Sequence, residues 1–147
     1  MAVFYDIAPE LNLLIYVVTD KLTGVGFFEA AAQVDQDERY TSDMKIIIDI
    51  SDAEIETSVS DLHLAVKKNK ELKSKEKKLG QTAVYTHSSS LIFLAEALRV
   101  LSPDAPTNFN IFNNEKEAVQ WLGFEKTELQ VLQWWGKVRT QPEAPVP

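Results

Sequence analysis

Two places in the sequence bring together side chains that could do chemistry, each at or just beyond the end of an apolar run. Asp49 and Ser51 close one run, and His87 and Ser88 follow another. An imidazole beside a hydroxyl could serve as a general base. His87 and Ser88 are neighbours only in sequence, however, and the chain has no Gly-x-Ser-x-Gly elbow. We therefore favour a capping or surface role for His87, assign no catalytic residue and expect no enzyme activity.

Asp49 interrupts the clearest of these runs, residues 44–50, near its carboxyl end. A carboxylate buried without partners is costly, so we expect backbone donors or a cation to meet it. In α/β sheets, ligands bind beyond the carboxyl ends of the strands. Asp49, Ser51, His87 and Ser88 are accordingly a candidate ligand rim, and a purely structural use of Asp49 is the alternative that we favour.

Two further serines, Ser58 and Ser60, fall where a helical pattern begins after residue 57. Backbone N–H groups at a helix start lack partners, so a hydroxyl there can cap the helix, and the helix dipole would favour a phosphate. A plain N-cap is the preferred interpretation, and use as a phosphoacceptor is the alternative.

Composition excludes several classes of site. The chain has no cysteine and two histidines, so we expect no metal site and no cofactor. The net charge of −7 argues against a nucleic-acid surface. No stretch approaches the roughly 18 apolar residues of a membrane span. Because no signal peptide is visible either, we expect a cytoplasmic protein without a transmembrane segment.

One segment is strongly basic. Seven of the fifteen basic residues lie within residues 67–78. This run predicts a solvated helix end, with a contact patch for an acidic partner or an anionic lipid as the alternative.

The elements that must position the candidate residues alternate between strand and helix. Four apolar or β-branched runs each lead into a helical pattern, and a first strand at residues 3–7 completes an opening hairpin. The four runs span residues 13–19, 44–50, 82–86 and 108–112. Such alternation is typical of a mostly parallel sheet covered by helices. We expect one α/β domain over residues 1–123, with a mixed sheet of about five strands and four to five helices.

Residues 91–101 carry more apolar surface than one copy is expected to hide. Nine of these eleven residues are apolar, among them Ile92 and Phe93. A surface helix normally shows an apolar stripe rather than a full apolar sleeve. We therefore expect a second subunit to cover one side, and hence a homo-oligomer, most simply a dimer.

The end of the chain predicts one more helix and a tail. Residues 124–139 form an amphipathic pattern that packs on the domain or on a partner. Its apolar stripe is Leu129, Leu132, Trp135 and Val138. Trp134 and Trp135 either anchor an interface or pack on their own subunit. Residues 140–147 contain three prolines and are expected to be disordered.

The order of these strands and helices resembles that of the STAS domain, which sulphate transporters share with bacterial anti-sigma-factor antagonists. The opening hairpin, the strand–helix units and the central run from Ile46 to Ser51 carry the resemblance. In the last unit a strand, a short acidic stretch, Ala118 and the pair Trp121-Leu122 follow the pattern of stand-alone bacterial proteins called STAS-like or SEC14-like. The resemblance implies an anti-sigma-factor-antagonist-like fold from about residue 3 to residue 122.

The same resemblance implies a function. In the anti-sigma-factor antagonists a partner kinase phosphorylates a serine at a helix start, a position that Ser58 or Ser60 would occupy here. Thr57 replaces the leading aspartate of that motif, and no glycine precedes Leu62. We expect a non-enzymatic regulatory module that binds an unidentified protein partner and self-associates. The SEC14-like label implies the alternative, a carrier that holds a small molecule or lipid in an apolar pocket.

Overall fold

A five-stranded mixed sheet organises the protein. The computed structural model describes residues 2–22, 24–55, 81–89, 92 and 109–140. The strands lie side by side in chain order, with β1 antiparallel to β2 and the other pairs parallel. They are β1 (Ala2–Ala8), β2 (Leu13–Leu22), β3 (Lys45–Ile55), β4 (Thr82–Tyr85) and β5 (Phe109–Phe112). The expected α/β class, the opening hairpin and the five strands are confirmed.

A tight connection joins β1 to β2. Pro9–Leu11 forms a 3-10 turn, and Asn12 follows with a φ of 52°, a left-handed conformation that asparagine tolerates better than most residues. The Asn12 N–H donates to the Pro9 carbonyl oxygen at 3.1 Å, and the Asn12 carbonyl oxygen accepts from the Lys45 N–H at 3.0 Å. Asn12 therefore ends the turn and begins the pairing of β2 with β3.

The central strand β3 is longer than its apolar run indicated. The predicted run ends at residue 50, whereas the strand continues to Ile55. β2 extends to Leu22 and pairs with this part of β3 beyond the point where β4 ends. The side chains of the extension alternate between half-buried and exposed, as expected for a strand with one solvated face.

Three α-helices lie in the described ranges. They are α1 (Gly24–Val34), α2 (Glu115–Trp121) and α3 (Glu128–Thr140). Asn114 caps α2, because its side-chain oxygen accepts from the Glu117 N–H at 3.1 Å. Just after α2, Gly123 has a φ of 89°, which residues with a side chain rarely adopt. This conformation turns the chain towards α3.

Several predictions fall on other parts of the chain. The helices expected after residue 57 and over residues 91–101 lie outside the described residues, apart from Ile92. Ser58, Ser60 and Phe93 also lie outside them, as do residues 141–147 of the expected tail. Thr140, the first residue of that tail, is instead the last residue of α3.

Alternate residues of the sheet contribute to two separate cores. On one face, called here the α2/α3 face, Ile15 and Ile47 pack against residues of α2 and α3. On the opposite face Leu14 and Ile50 pack with residues of α1. β3 lies in the middle of the sheet, and burial on both faces explains its continuous apolar run.

Helix α3 packs on the sheet of its own chain through a stripe that differs from the expected one. Its buried residues are Val131, Trp135 and Val138. Leu129 is 69% exposed, so its place in the stripe is wrong. It precedes Val131 by two residues, which turns it about 200° around the helix. Val131, Trp135 and Val138 thus pack in the core of this chain itself.

The residues expected at an interface fall into different environments. Trp135 has no exposed surface, so its assignment to an interface is wrong: the ring fills the core beneath α3. Trp134 is half-buried, and its Nε1 donates to Asp6 Oδ2 at 3.2 Å. Ile92 is 39% exposed. Within the described ranges, no helix combines the length and the hydropathy that a membrane crossing requires.

Candidate functional site

The Asp49 carboxylate is the centre of a polar cluster beneath α3. The residue is 1% exposed. Its Oδ1 accepts from the Ser51 N–H at 3.0 Å and from the Ser51 hydroxyl at 2.7 Å. Its Oδ2 accepts from Trp135 Nε1 and from Arg139 Nε, both at 2.8 Å. A carboxylate has about four acceptor positions, so this one is saturated. The expectation that backbone donors or a cation meet Asp49 is confirmed, since both do.

Local geometry explains how these donors reach Asp49. Asp49 and Ile47 are two residues apart in β3, so Asp49 also points to the α2/α3 face. Trp135 and Arg139 are four residues apart on α3, which places both on the same side of the helix. Ser51 folds its N–H and hydroxyl back onto the side chain two residues earlier, a local pattern that aspartate favours.

Arg139 links the buried carboxylate to the surface. Its side chain is 25% exposed, and its Nη1 donates to Glu115 Oε1 at 3.3 Å. The guanidinium carbon lies 5.5 Å from the ring centroid of Tyr85 and 5.3 Å from that of Trp135, within cation–π range. Burial opposes the charge, but the attraction and hydrogen bonds of Asp49 and Glu115 outweigh it and raise the pKa of Arg139. Its Nη2 is buried and has no hydrogen-bond partner in the described part of the chain.

Tyr85 connects this cluster to His87. The Tyr85 ring meets Trp135 edge-on with centroids 5.1 Å apart, and its hydroxyl lies 3.1 Å from His87 Nε2. Burial, followed by the charge of Glu115, raises the pKa of the Tyr85 phenol. The hydroxyl is therefore protonated at neutral pH and can donate to the imidazole nitrogen. His87 itself is exposed.

The expected ligand rim is only partly assembled. Asp49 and Ser51 contact each other, but Asp49 lies under Trp135 with its acceptor positions filled. Its assignment as a ligand contact is therefore wrong. His87 and Ser88 follow the end of β4, where the Ser88 N–H donates to the Thr86 hydroxyl at 3.0 Å. In α/β sheets, ligand crevices form where the strand order reverses. The order of the five described strands has no such reversal.

Sequence reasoning missed three members of the cluster, namely Tyr85, Glu115 and Arg139. A signal for Arg139 existed, because it stands one helical turn after Trp135 and a buried carboxylate needs a cation. No local pattern marks Glu115, which reaches Arg139 from another helix.

Among the described residues, no group of three or more His, Asp or Glu side chains is arranged to hold a metal ion. The contacts of this cluster attach α3 to the sheet.

Comparison with known proteins identifies the fold. The sequence matches no protein-family model and no curated protein. The structure is similar to the crystal structure of an uncharacterized protein of the DUF3478 family from Shewanella loihica PV-4, described as having a SpoIIAA-like fold. The two share 17% sequence identity with a TM-score of 0.52, over 82% of this chain and 92% of that chain. At this identity the likeness shows the fold alone, and it confirms the expected STAS-like architecture.

Proposed function

We propose that this protein is a non-enzymatic regulatory module that binds a protein partner and self-associates as a dimer. The saturation of Asp49 carries the proposal. The carboxylate that the sequence placed best for chemistry is 1% exposed and already accepts from Ser51, Trp135 and Arg139. A group in this state is not available to take a proton from a substrate or to bind a metal ion.

The fold supports the same proposal. The sequence resemblance to STAS-like proteins implies regulation through contacts with other proteins, and the architecture of this chain is STAS-like. Because a fold hosts more than one function, the proposal has to be tested on surfaces of this chain. The serine positions that the resemblance marks for phosphorylation, Ser58 and Ser60, lie outside the described residues.

Two exposed large hydrophobic residues indicate where a second copy would dock. In the described part of the chain these are Ile92, 39% exposed, and Leu129, 69% exposed. Ile92 belongs to residues 91–101, of which nine of eleven are apolar. On α3, Leu129 has the polar and exposed Gln133 one helical turn away. Only Ile92 thus continues an apolar segment, so we place the dimer contact at residues 91–101.

Light scattering after size-exclusion chromatography tests this placement. At micromolar concentration we expect about twice the 16.6 kDa of one chain. Ile92→Glu should shift the protein towards the monomer, because a charge buried in an apolar contact is costly. Leu129→Glu is the matched control and should keep the wild-type mass. A monomeric wild type, or an Ile92→Glu variant that remains dimeric, would contradict the proposal.

The carrier alternative needs an apolar pocket between the sheet and the helices, with the lysine run near its mouth, and residues 67–78 lie outside the described residues. Native mass spectrometry of the purified protein separates the two functions. An interaction module is expected to appear as a ligand-free dimer. A small apolar molecule that co-purifies with the chain would instead favour the carrier.

A further inference from the structure

In the sheet that the described strands form, each outer strand uses a side chain to occupy an amide of its own backbone. In β1 the Ile7 N–H donates to Asp6 Oδ1 at 2.9 Å. In β5 the Ile111 N–H donates to Asn110 Oδ1, also at 2.9 Å. In both strands the acceptor belongs to the residue immediately before the amide. Because unpaired amides on an edge strand recruit further strands, the direction of these two amides matters.

The Ile7 amide points away from the sheet. The Asn12 carbonyl oxygen accepts from Lys45 on the β3 side, so the N–H of the same trans peptide, that of Leu13, points towards β1. Leu13 stands opposite Ala8, which makes this a hydrogen-bonded pair. Hydrogen-bonded and non-hydrogen-bonded pairs alternate along an antiparallel ladder. The neighbouring pair, which contains Ile7, is therefore non-hydrogen-bonded, and the Ile7 N–H faces the open side.

The Ile111 amide also points outward. The Phe112 carbonyl oxygen accepts from the Thr86 N–H at 3.0 Å, on the β4 side of β5. Successive residues of a strand direct their backbone groups to opposite sides. Ile111 directly precedes Phe112, so its N–H faces away from β4, at an edge that no other described strand pairs with, and the Asn110 side chain meets it there.

A chain of charged contacts also surrounds the β1 edge. Arg39 Nη1 lies 3.4 Å from the same Asp6 Oδ1 that accepts from Ile7, and Arg39 Nη2 donates to Asp37 at 3.0 Å. Asp37 in turn accepts from the Tyr5 hydroxyl at 3.0 Å. Tyr5 and Asp6 point to opposite faces of the sheet, so these contacts run around the edge of β1. The hydrogen bonds from Arg39 hold the pKa of Asp37 below its ordinary value, and both groups are charged at neutral pH.

We propose that Asp6 and Asn110 close the two edges of the sheet to strand addition by a second copy of this chain. A strand that approached β1 would have to displace the Asp6 carboxylate from the Ile7 amide, from Trp134 Nε1 and from Arg39. The β5 edge is four residues long, and short edge strands are poor templates for pairing. The proposal does not depend on the dimer described above, because its test compares the mass of a variant with the mass of the wild type, whichever assembly the wild type forms.

Amide hydrogen exchange and light scattering on a double variant, Asp6→Val with Asn110→Val, test the proposal. Loss of the side-chain acceptors should speed exchange of the Ile7 and Ile111 amides by roughly tenfold in dilute samples. At high concentration the double variant should form larger species than the wild type. In those species the amides of Val3 and Tyr5, which also face the open side of β1, should become protected.

Two matched variants separate edge closure from simple hydrophobicity. Asp52→Val removes a carboxylate and adds the same apolar side chain at an exposed position of the central strand β3, and it should keep the wild-type mass. Asn110→Asp keeps an acceptor oxygen and should keep the wild-type exchange at Ile111. If the double variant does not fold, Asn110→Val alone tests the β5 edge through the exchange of Ile111.

Three results would overturn the proposal. The first is unchanged exchange of Ile7 and Ile111 in the valine variants. The second is a double variant that keeps the wild-type mass at high concentration. The third is association that leaves Val3 and Tyr5 unprotected, since the contact would then lie away from the edge.

Discussion

Replacing Asp49 with alanine removes the acceptor that holds α3 on the sheet. The change leaves Trp135 Nε1 and Arg139 Nε without the oxygen that each meets at 2.8 Å. Removing one member of a buried ion pair costs about 3–5 kcal/mol, mainly because the other charge stays buried without compensation. Arg139 keeps Glu115 and is 25% exposed, which places the expected loss at the lower end, about 3 kcal/mol.

Urea unfolding measures this loss directly. Tryptophan fluorescence is a suitable probe, because Trp135 contacts Asp49, and circular dichroism should report the same transition. Asp52→Ala is the control: the residue is exposed on the same strand, and surface changes of this kind stay within about 0.5 kcal/mol. A loss below about 1 kcal/mol for Asp49→Ala, against the expected loss of about 3 kcal/mol, would refute the view that the cluster joins α3 to the sheet. It would also remove the main support for a purely structural Asp49.

Two further predictions concern the backbone and the acid limit of stability. Gly123→Ala should destabilise the protein by about 1–2 kcal/mol, because a side chain is disfavoured at positive φ and the new Cβ would lie 2.9 Å from Lys45 Nζ. Gly136→Ala, whose Cβ would meet nothing within 4 Å, should instead be neutral or stabilising in the same unfolding assay. Arg39 lowers the pKa of Asp37 from its ordinary 3.8, so this carboxylate contributes stability above about pH 4 that is lost as the pH falls towards its folded pKa. Asp37→Asn should flatten this acid limb of a pH–stability titration, and an unchanged limb would contradict the assignment.

Local sequence patterns did not reveal three features of the structure. The apolar run over residues 44–50 predicted the central strand, but not its continuation to Ile55, because that part is held by pairing with β2. The predicted stripe on α3 begins at Leu129, two residues before the buried Val131. The reason is that apolar spacing alone does not say which side of a helix meets the sheet. The sequence pattern leaves Trp135 either at an interface or in the core, and only its hydrogen bond to Asp49 places it in the core.

Local patterns in the sequence were enough to predict the five described strands, the helices that follow the second and the fifth of them, and the need of a carboxylate in the central strand for donors. These follow from local backbone preferences and from the cost of burying polar groups, both of which can be read within a few residues. The tertiary structure alone decided that the donors are Trp135 and Arg139, which lie 86 and 90 residues further along the chain. It also decided that Asp6 and Asn110 stand at the two sheet edges. Such contacts depend on how distant elements pack and on strand order, and no local pattern contains that information.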